Sequence, residues 1–212
     1  MIRRSLLCGL IGLSLACGAG PAAARTAVQT APDPAVVPVR IALQTGMGRI
    51  VIETDPRAPI TASNFVRYAD ERRFDGVTFY RGMTVAPGTG LVQGGPIGVS
   101  NRVRPPIAHE PTSQTGLSHV NGAVSMAAAS PGTATGDFFI VIGDLPSLNA
   151  GVTTPEDQGF AVFGRVVEGM DVVEAIVAAP KSPTEGEGVM RGQMLDPRVP
   201  ILSARRVDIP GS

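Results

Sequence analysis

The chain of 212 residues carries no net formal charge, since 18 basic residues balance 18 acidic ones, and 43% of its residues are hydrophobic. This length suits one domain that buries its core without disulfide bonds, and the balanced charge argues against a nucleic-acid-binding surface. Because the chain holds 26 glycines and 19 prolines, a mostly helical fold is excluded, and many turns and short strands are expected.

Residues 1–24 have the layout of a secretory signal sequence. Arg3 and Arg4 precede an apolar stretch at 6–16, and three alanines at 22–24 resemble a cleavage site. The apolar stretch is too short to cross a bilayer comfortably. We therefore expect export, followed by cleavage that removes both cysteines and leaves a mature form without a transmembrane span.

An alternative to simple cleavage is a lipoprotein, in which Cys17 would become a lipid-bearing N-terminus. Residues 15–17 partly resemble the cleavage site of such proteins. Residues 25–38 are rich in Ala, Pro and Thr without periodicity, which indicates a disordered linker. The folded domain is predicted to span residues 39–212.

The first predicted elements of this domain are a hairpin and a helix. Two β-prone runs at 40–45 and 49–54 flank a Gly-Met-Gly turn. A Pro-containing segment follows, and then four apolar residues recur at helical spacing: Ala62, Phe65, Val66 and Ala69. This helix is expected to cover an opening of the core.

The middle of the chain is predicted to form short strands separated by loops. Residues 77–80 are strand-like and lead into a Gly- and Pro-rich passage that ends at residue 98. Residues 99–121 lack periodicity, which predicts a long ordered loop. Within 125–140, two apolar runs flank small residues, which predicts a strand, a wide loop and a second strand.

The last third of the chain supplies a strand at 160–167 and a second helix. The helical face consists of four apolar residues before Pro180: Met170, Val173, Ile176 and Val177. A polar loop at 181–192 precedes a final strand at 201–209. Two helices among short strands favour a β-barrel or a β-sandwich with the helices over its open ends.

Several sequence blocks, in the family's order, resemble the cyclophilin-type peptidyl-prolyl cis/trans isomerases. The blocks are ASNFV at 62–66, FDGVTFYR at 74–81, QGG at 93–95, GAVSM at 122–126, FFI at 138–140 and FAVFGRVVEGMDVV at 160–173. The resemblance implies a mainly β fold, a closed eight-stranded antiparallel β-barrel capped by two α-helices. A shallow peptide groove is implied on its outer face.

The same resemblance implies isomerisation of X-Pro bonds in proline-containing polypeptides, without a cofactor or a metal. Short loops and the export signal are most similar to the bacterial periplasmic branch, so we expect a periplasmic protein that assists the folding of exported proteins. We also expect a monomer that does not bind nucleic acid.

The resemblance places catalysis at Arg81 and Gln93. Arg81 stands at the family's catalytic arginine, whose guanidinium can donate to the prolyl nitrogen as the peptide bond twists. Gln93 stands at the groove glutamine that orients the substrate carbonyl. The remaining groove positions fall on Leu91, Met126, Ala127, Phe139, Leu148 and Phe160, whereas Phe138 is expected in the core.

Several positions depart from the family pattern, among them Ser147 or a neighbour in place of a groove tryptophan. The pocket phenylalanine aligns with Gly90 or, with a one-residue shift, with Leu91; the groove asparagine is Ala128; and Asp137 replaces a glutamine. Asp137 would either orient the Arg81 guanidinium or neutralise it. These departures leave open a second function, a peptide-binding chaperone module on the same scaffold with weak or no isomerase activity.

A hydrolase and a metalloprotein are two weaker alternatives. Ser118 and His119 are neighbours, but no G-x-S-x-G motif accompanies them. His109 and His119 lack companion ligands at metal-binding spacing. Both histidines are expected to be loop residues.

Overall fold

A computed structural model describes residues 37–209 as a closed antiparallel β-barrel with helices packed against it. The predicted signal sequence, lipidation at Cys17 and the predicted linker as far as residue 36 lie outside the described residues. The eight strands are β1 Arg40–Thr45, β2 Gly48–Thr54, β3 Thr78–Ala86, β4 Thr89–Gly95, β5 Ala123–Met126, β6 Phe138–Ile142, β7 Ala161–Glu168 and β8 Met194–Val207.

The strands close the barrel in the order β1-β2-β7-β5-β6-β4-β3-β8, which confirms the expected fold. The predicted hairpin is β1 and β2, whose pairing runs from Arg40 with Glu53 to Thr45 with Gly48. Because side chains alternate along each strand, one face of the barrel wall fills the interior. The interior cluster is built on residues such as Ile52, Phe79 and Phe138, each 0% exposed.

Two longer helices and several single turns complete the fold. The longer helices are α1 Pro59–Asp70 and α3 Met170–Ala178, while α2 Thr112–Thr115 is one turn. Three 3-10 turns are η1 Ser100–Arg102, η2 Pro146–Leu148 and η3 Gly188–Met190. Both predicted helical faces are confirmed: Ala62 is buried, and the other seven residues belong to the interior cluster or pack against it. No helix between residues 37 and 209 is long and apolar enough to cross a membrane.

Helix α1 receives its N-terminal cap from the predicted loop at 99–121. The Glu110 carboxylate, 1% exposed, accepts from the backbone N–H of Ile60 at 3.1 Å and of Thr61 at 2.7 Å. The Thr61 hydroxyl donates to the same carboxylate at 2.6 Å. The first turn of a helix has unpaired N–H donors, and a negative group stabilises them. This contact fixes the otherwise irregular loop against the barrel.

The sequence prediction was wrong about the passage from 81 to 98. It contains most of β3 and all of β4, joined by a turn at 87–88. β4 is difficult to predict from the sequence because its glycines lower the β propensity of the segment. Gly90 allows close approach of the two backbones: a Cβ there would lie 2.1 Å from the carbonyl oxygen of Met83. β8 also begins earlier than predicted, at Met194.

Candidate active site

One row of side chains crosses the outer face of the barrel on four neighbouring strands. Arg81 on β3 pairs with Gln93 on β4, which pairs with Phe139 on β6, which pairs with Ser125 on β5. Paired residues project to the same face of a sheet. Val92 and Phe138, the neighbours of Gln93 and Phe139, lie in the interior, so the row faces outward on β4 and β6. On β3, a register shift between the interior Phe79 and Arg81 brings Arg81 to the outer face as well. The pairing alone therefore brings Arg81, Gln93 and Phe139 together.

A second hydrophobic cluster lies beneath this row. Its buried members are Leu91, Ala123, Phe139, Val141, Leu145 and Val162, and the partly buried residues packed on it are Met83, Leu117, Ala127, Leu148 and Phe160. Phe139 and Phe160 meet edge to face, with ring centroids 5.4 Å apart. This packing forms a firm apolar surface beside the charged end of Arg81.

An open groove of ≈ 630 Å³ runs over this surface. The residues predicted for the site that line it are Arg81, Leu91, Gln93, Ala127, Asp137, Phe139, Leu148 and Phe160. A smaller cavity of ≈ 160 Å³ adjoins it and shares Ala128, Ala129, Leu148 and Phe160. The site therefore offers one long groove with a side pocket.

Met126 is the one predicted groove residue that does not line the main groove. Its side chain is 1% exposed and packs in the interior cluster, and it reaches only the wall of the smaller cavity. The physical reason is strand alternation: Ser125 belongs to the outward row, so its neighbour on β5 points inward. Ala127, one residue later, returns to the groove.

Arg81 is held in place by neutral groups. Its Nη1 donates to Gln93 Oε1 at 3.0 Å, and its Nε donates to Gln193 Oε1 at 2.9 Å. Its Nη2 approaches the Met83 sulfur at 3.5 Å. Burial lowers the pKa of the Arg81 guanidinium, which nevertheless stays charged at any physiological pH. The arginine is thus a cation of fixed direction at the edge of an apolar surface.

Asp137 neither orients nor neutralises Arg81; it is bonded to Tyr80. The Tyr80 hydroxyl donates to Asp137 Oδ1 at 3.1 Å, and the backbone N–H of Ile97 also donates to the carboxylate. Burial, and then the nearby Asp137 charge, raise the pKa of the Tyr80 hydroxyl. Burial also raises the pKa of the Asp137 carboxyl, while the hydrogen bond from Tyr80 opposes that shift. Gln93 is a further hydrogen-bonding partner of Tyr80, so one polar chain links Arg81 to Asp137.

Sequence reasoning missed several residues of the site, among them Tyr80 and Met190, which line the groove, and Gln193, which contacts Arg81. Gln193 lies 112 residues after Arg81, and Met190 belongs to η3 in the loop that was predicted only as polar. Their contacts depend on the path of that loop, and a single sequence gives no periodic signal for it. Tyr80 is adjacent to Arg81, but its partner Asp137 is 57 residues away in the sequence, directly before β6.

Gly90 and Leu91, the two residues to which the pocket phenylalanine could align, line different cavities. Leu91 lines the groove, whereas Gly90 lines a different pocket, formed with Thr89 and Glu174. Ala128 lines both the groove and the smaller cavity. Of Gly90 and Leu91, only the aliphatic Leu91 therefore contributes to the groove.

Behind Phe139 lies a buried Ser-His-Asn arrangement. His119 Nε2 is 3.0 Å from Ser125 Oγ, and His119 Nδ1 is 2.7 Å from Asn149 Oδ1. This geometry is that of a hydrolytic triad, but Ser125 is 0% exposed and His119 only 1%. A substrate cannot reach such a serine. The His119 ring instead stacks on Phe139 with centroids 5.8 Å apart, and so supports the groove floor.

The other two polar residues considered from the sequence also have ordinary partners. Ser118 Oγ accepts from the Asn149 amide at 2.8 Å, and His109 Nε2 is 3.1 Å from the carbonyl oxygen of Gln158. Within residues 37–209 there is no group of three or more His, Cys, Asp or Glu placed to hold a metal ion.

Comparison with known proteins gives a consistent result. The family model "Cyclophilin type peptidyl-prolyl cis-trans isomerase/CLD" matches residues 40–205. The chain is 38% identical over 151 residues to peptidyl-prolyl cis-trans isomerase cyp18 of Streptomyces antibioticus. This alignment covers 69% of this chain and 87% of that protein. It is 36% identical over 141 residues to peptidyl-prolyl cis-trans isomerase B of Escherichia coli strain K12, covering 64% and 82% respectively.

A solved structure shares the fold. A Cryptosporidium parvum cyclophilin type peptidyl-prolyl cis-trans isomerase, crystallised in the presence of the dipeptide ala-pro, superimposes with a TM-score of 0.63 at 19% identity. The match covers 80% of this chain and 99% of that one.

Proposed function

Because this chain belongs to the cyclophilin-type peptidyl-prolyl cis-trans isomerases, we propose that it accelerates X-Pro isomerisation in polypeptides bound along the groove. The observation that carries the mechanism is the position of Arg81. Its guanidinium is fixed by two neutral acceptors at the edge of an apolar surface formed by Leu91, Phe139 and Phe160. That surface receives the proline ring, and the guanidinium faces the peptide bond beside it.

The chemistry requires only that the bond be twisted. Resonance between the nitrogen lone pair and the carbonyl gives a rotation barrier of about 18–20 kcal/mol. As the bond leaves planarity, the lone pair localises on the prolyl nitrogen, and a donor aimed at that nitrogen stabilises the twisted state more than the planar one. Arg81 is that donor in our proposal, and Gln93 both positions it and contacts the substrate carbonyl. No bond breaks, so no cofactor enters the mechanism.

The proposed physiological role is to assist the folding of exported proteins in the periplasm. Support comes from the N-terminal sequence, in which two arginines, an apolar stretch and three alanines have the layout of an export signal. Isomerisation of X-Pro bonds takes tens of seconds or longer without catalysis and limits the folding of many chains. Mass spectrometry of the mature N-terminus tests this proposal: a start at residue 25 supports export, whereas a lipidated Cys17 supports membrane anchoring. Light scattering tests the expectation of a monomer.

A chaperone module with weak turnover is the second candidate. It is favoured by Leu91 in place of an aromatic pocket residue and by Ala128, which removes a polar side chain from the groove. Such a protein would bind proline-containing chains through the same apolar surface without accelerating isomerisation.

An isomerisation assay on the mature form separates the two candidates. Magnetisation-exchange NMR on an Ala-Pro peptide should show faster cis-trans exchange with the protein, and Arg81→Ala should lower kcat/KM by about 100-fold or more. Arg198→Ala, at an exposed position of β8, is the matched control and should retain full activity. Exchange no faster than in buffer would exclude the isomerase as the function. An Arg81→Ala variant as active as the wild type would exclude Arg81 as the donor to the prolyl nitrogen.

A further inference from the structure

Asp137 is a charged groove residue that the proposed mechanism does not use. Among the side chains that line the groove, it is the only acid, as Arg81 is the only base. A carboxylate in a peptide groove is a potential site for a cationic part of the substrate.

The Asp137 carboxylate has hydrogen-bond donors but no cation beside it. Tyr80 and the backbone N–H of Ile97 donate to it, and none of the ion pairs between residues 37 and 209 involves it. Burial leaves the charge of this carboxyl incompletely solvated and so raises its pKa. A bound cation would therefore stabilise the ionised form.

The position of the carboxylate is fixed by the close approach of Gly95. A Cβ at Gly95 would lie 2.7 Å from Asp137 Oδ1 and 2.7 Å from its Cα, so β4 packs directly against it. On the groove side, the neighbouring lining residues are small: Ala127, Ala128, Ala129, Thr133 and Thr135. These small side chains leave room for a long side chain of the substrate to reach the carboxylate.

We propose that Asp137 determines specificity by selecting polypeptides that carry lysine or arginine close to the isomerised proline. The proposal rests on the proposed function, because it names the substrate class of the same groove. A carboxylate accepts several hydrogen bonds, so Tyr80 and Ile97 leave acceptor positions for an ammonium or guanidinium group. Arg81 remains at the peptide bond, and the two opposite charges recognise different parts of one chain.

The test compares peptides that differ only in charge. Capped peptides of the form Xaa-Ala-Pro-Phe and Ala-Xaa-Pro-Phe carry lysine, its uncharged isostere norleucine, or glutamate at Xaa. Dissociation constants are measured by NMR titration for the wild type, Asp137→Asn and the control Asp171→Asn, which removes an exposed acid at the start of α3. Circular dichroism confirms that each variant is folded.

In the wild type, the lysine peptide should bind about three- to tenfold more tightly than the norleucine peptide at one of the two positions, and glutamate should bind most weakly. In Asp137→Asn, the lysine and norleucine peptides should bind about equally, and the glutamate peptide should no longer bind more weakly than norleucine. Asp171→Asn should keep the order of affinities of the wild type. Equal binding of lysine and norleucine by the wild type would overturn the proposal, and so would a preference that persists in Asp137→Asn. If that variant does not fold, the wild-type peptide series decides the question alone.

Failure of this proposal is distinguishable from failure of the proposed function. Exchange rates of the norleucine peptide report isomerase activity without any contribution from a substrate charge. A protein that accelerates this exchange but binds all three peptides equally is an isomerase without charge selection. A protein that prefers lysine but does not accelerate exchange has the specificity without the catalysis.

Discussion

Gln193 is expected to control the activity of Arg81 without contacting the substrate. Its Oε1 accepts from Arg81 Nε at 2.9 Å, and its amide donates to the carbonyl oxygen of Val189 at 2.8 Å. One side chain therefore ties the guanidinium to the η3 turn. Gln193→Ala removes both bonds and leaves Arg81 anchored by Gln93 alone, with only the weak Met83 contact besides.

The size of the effect follows from the exposure of Arg81. A hydrogen bond to a charged group contributes about 1.5–3 kcal/mol when it is well shielded from water. Because Arg81 is only partly buried, water replaces part of the lost bond. We therefore expect Gln193→Ala to weaken the stabilisation of the transition state by about 1–2 kcal/mol. This corresponds to a decrease of about 5- to 30-fold in kcat/KM. The decrease should appear mainly in kcat, since the guanidinium interacts most strongly with the twisted bond.

The assay is NMR exchange at several peptide concentrations, which separates kcat from KM. Gln114→Ala, at an exposed position of α2, is the matched control. Gln193→Glu adds a second test, because it keeps an acceptor for Arg81 Nε but places a negative charge beside the guanidinium; it should also lower kcat. A folded Gln193→Ala variant with kcat within twofold of the wild type would refute the positioning role.

Three further predictions concern stability. Glu110→Ala leaves the N-terminal N–H groups of α1 without their acceptor and should lower the free energy of unfolding by about 2–3 kcal/mol in urea titrations; the exposed control Glu156→Ala should change it little. Gly136→Ala places a Cβ 2.2 Å from the buried Tyr68 ring and should lower the melting temperature, with a loss of about 1–3 kcal/mol. Burial lowers the pKa of His119, so the unfolded state binds the proton more readily, and stability should decrease as pH falls from the unfolded pKa of about 6.5 through the lower folded value. Thermal melts between neutral and mildly acidic pH should show a smaller dependence in His119→Asn; an unchanged dependence would contradict the assignment.

The parts of the fold that follow one repeating pattern could be predicted from the sequence. The face of α1 has apolar residues at helical spacing, and Phe65 and Val66 are both buried in the interior cluster. The first hairpin was predictable because a Gly-Met-Gly segment between its two strands indicates a turn. β4 could not be found in this way, because glycines at 90, 94 and 95 permit close backbone contacts while lowering strand propensity.

The candidate site was also predictable from the sequence only in part. Arg81, Gln93 and Phe139 were placed together by the family resemblance, and the strand register explains why they meet. Met126 was assigned to the groove, but the alternation of β5 turns it inward. Met190 reaches the groove, and Gln193 reaches Arg81, only through the folding of a distant loop. Such contacts depend on tertiary structure that local spacing does not encode.

The partners of the two groove charges explain how both remain available to a peptide. Other arginines of the described chain, such as Arg205 and Arg206, are paired with carboxylates, which cancel much of their field. Arg81 instead donates to amide oxygens, which fix its direction and preserve its charge. Arg81 donates to Gln93, Gln93 is also a partner of Tyr80, and the Tyr80 hydroxyl donates to Asp137, so neutral side chains separate the two charges. A direct ion pair between Arg81 and Asp137 would neutralise both groups, whereas this neutral relay holds them apart, with the cation for the peptide bond and the anion for a basic side chain.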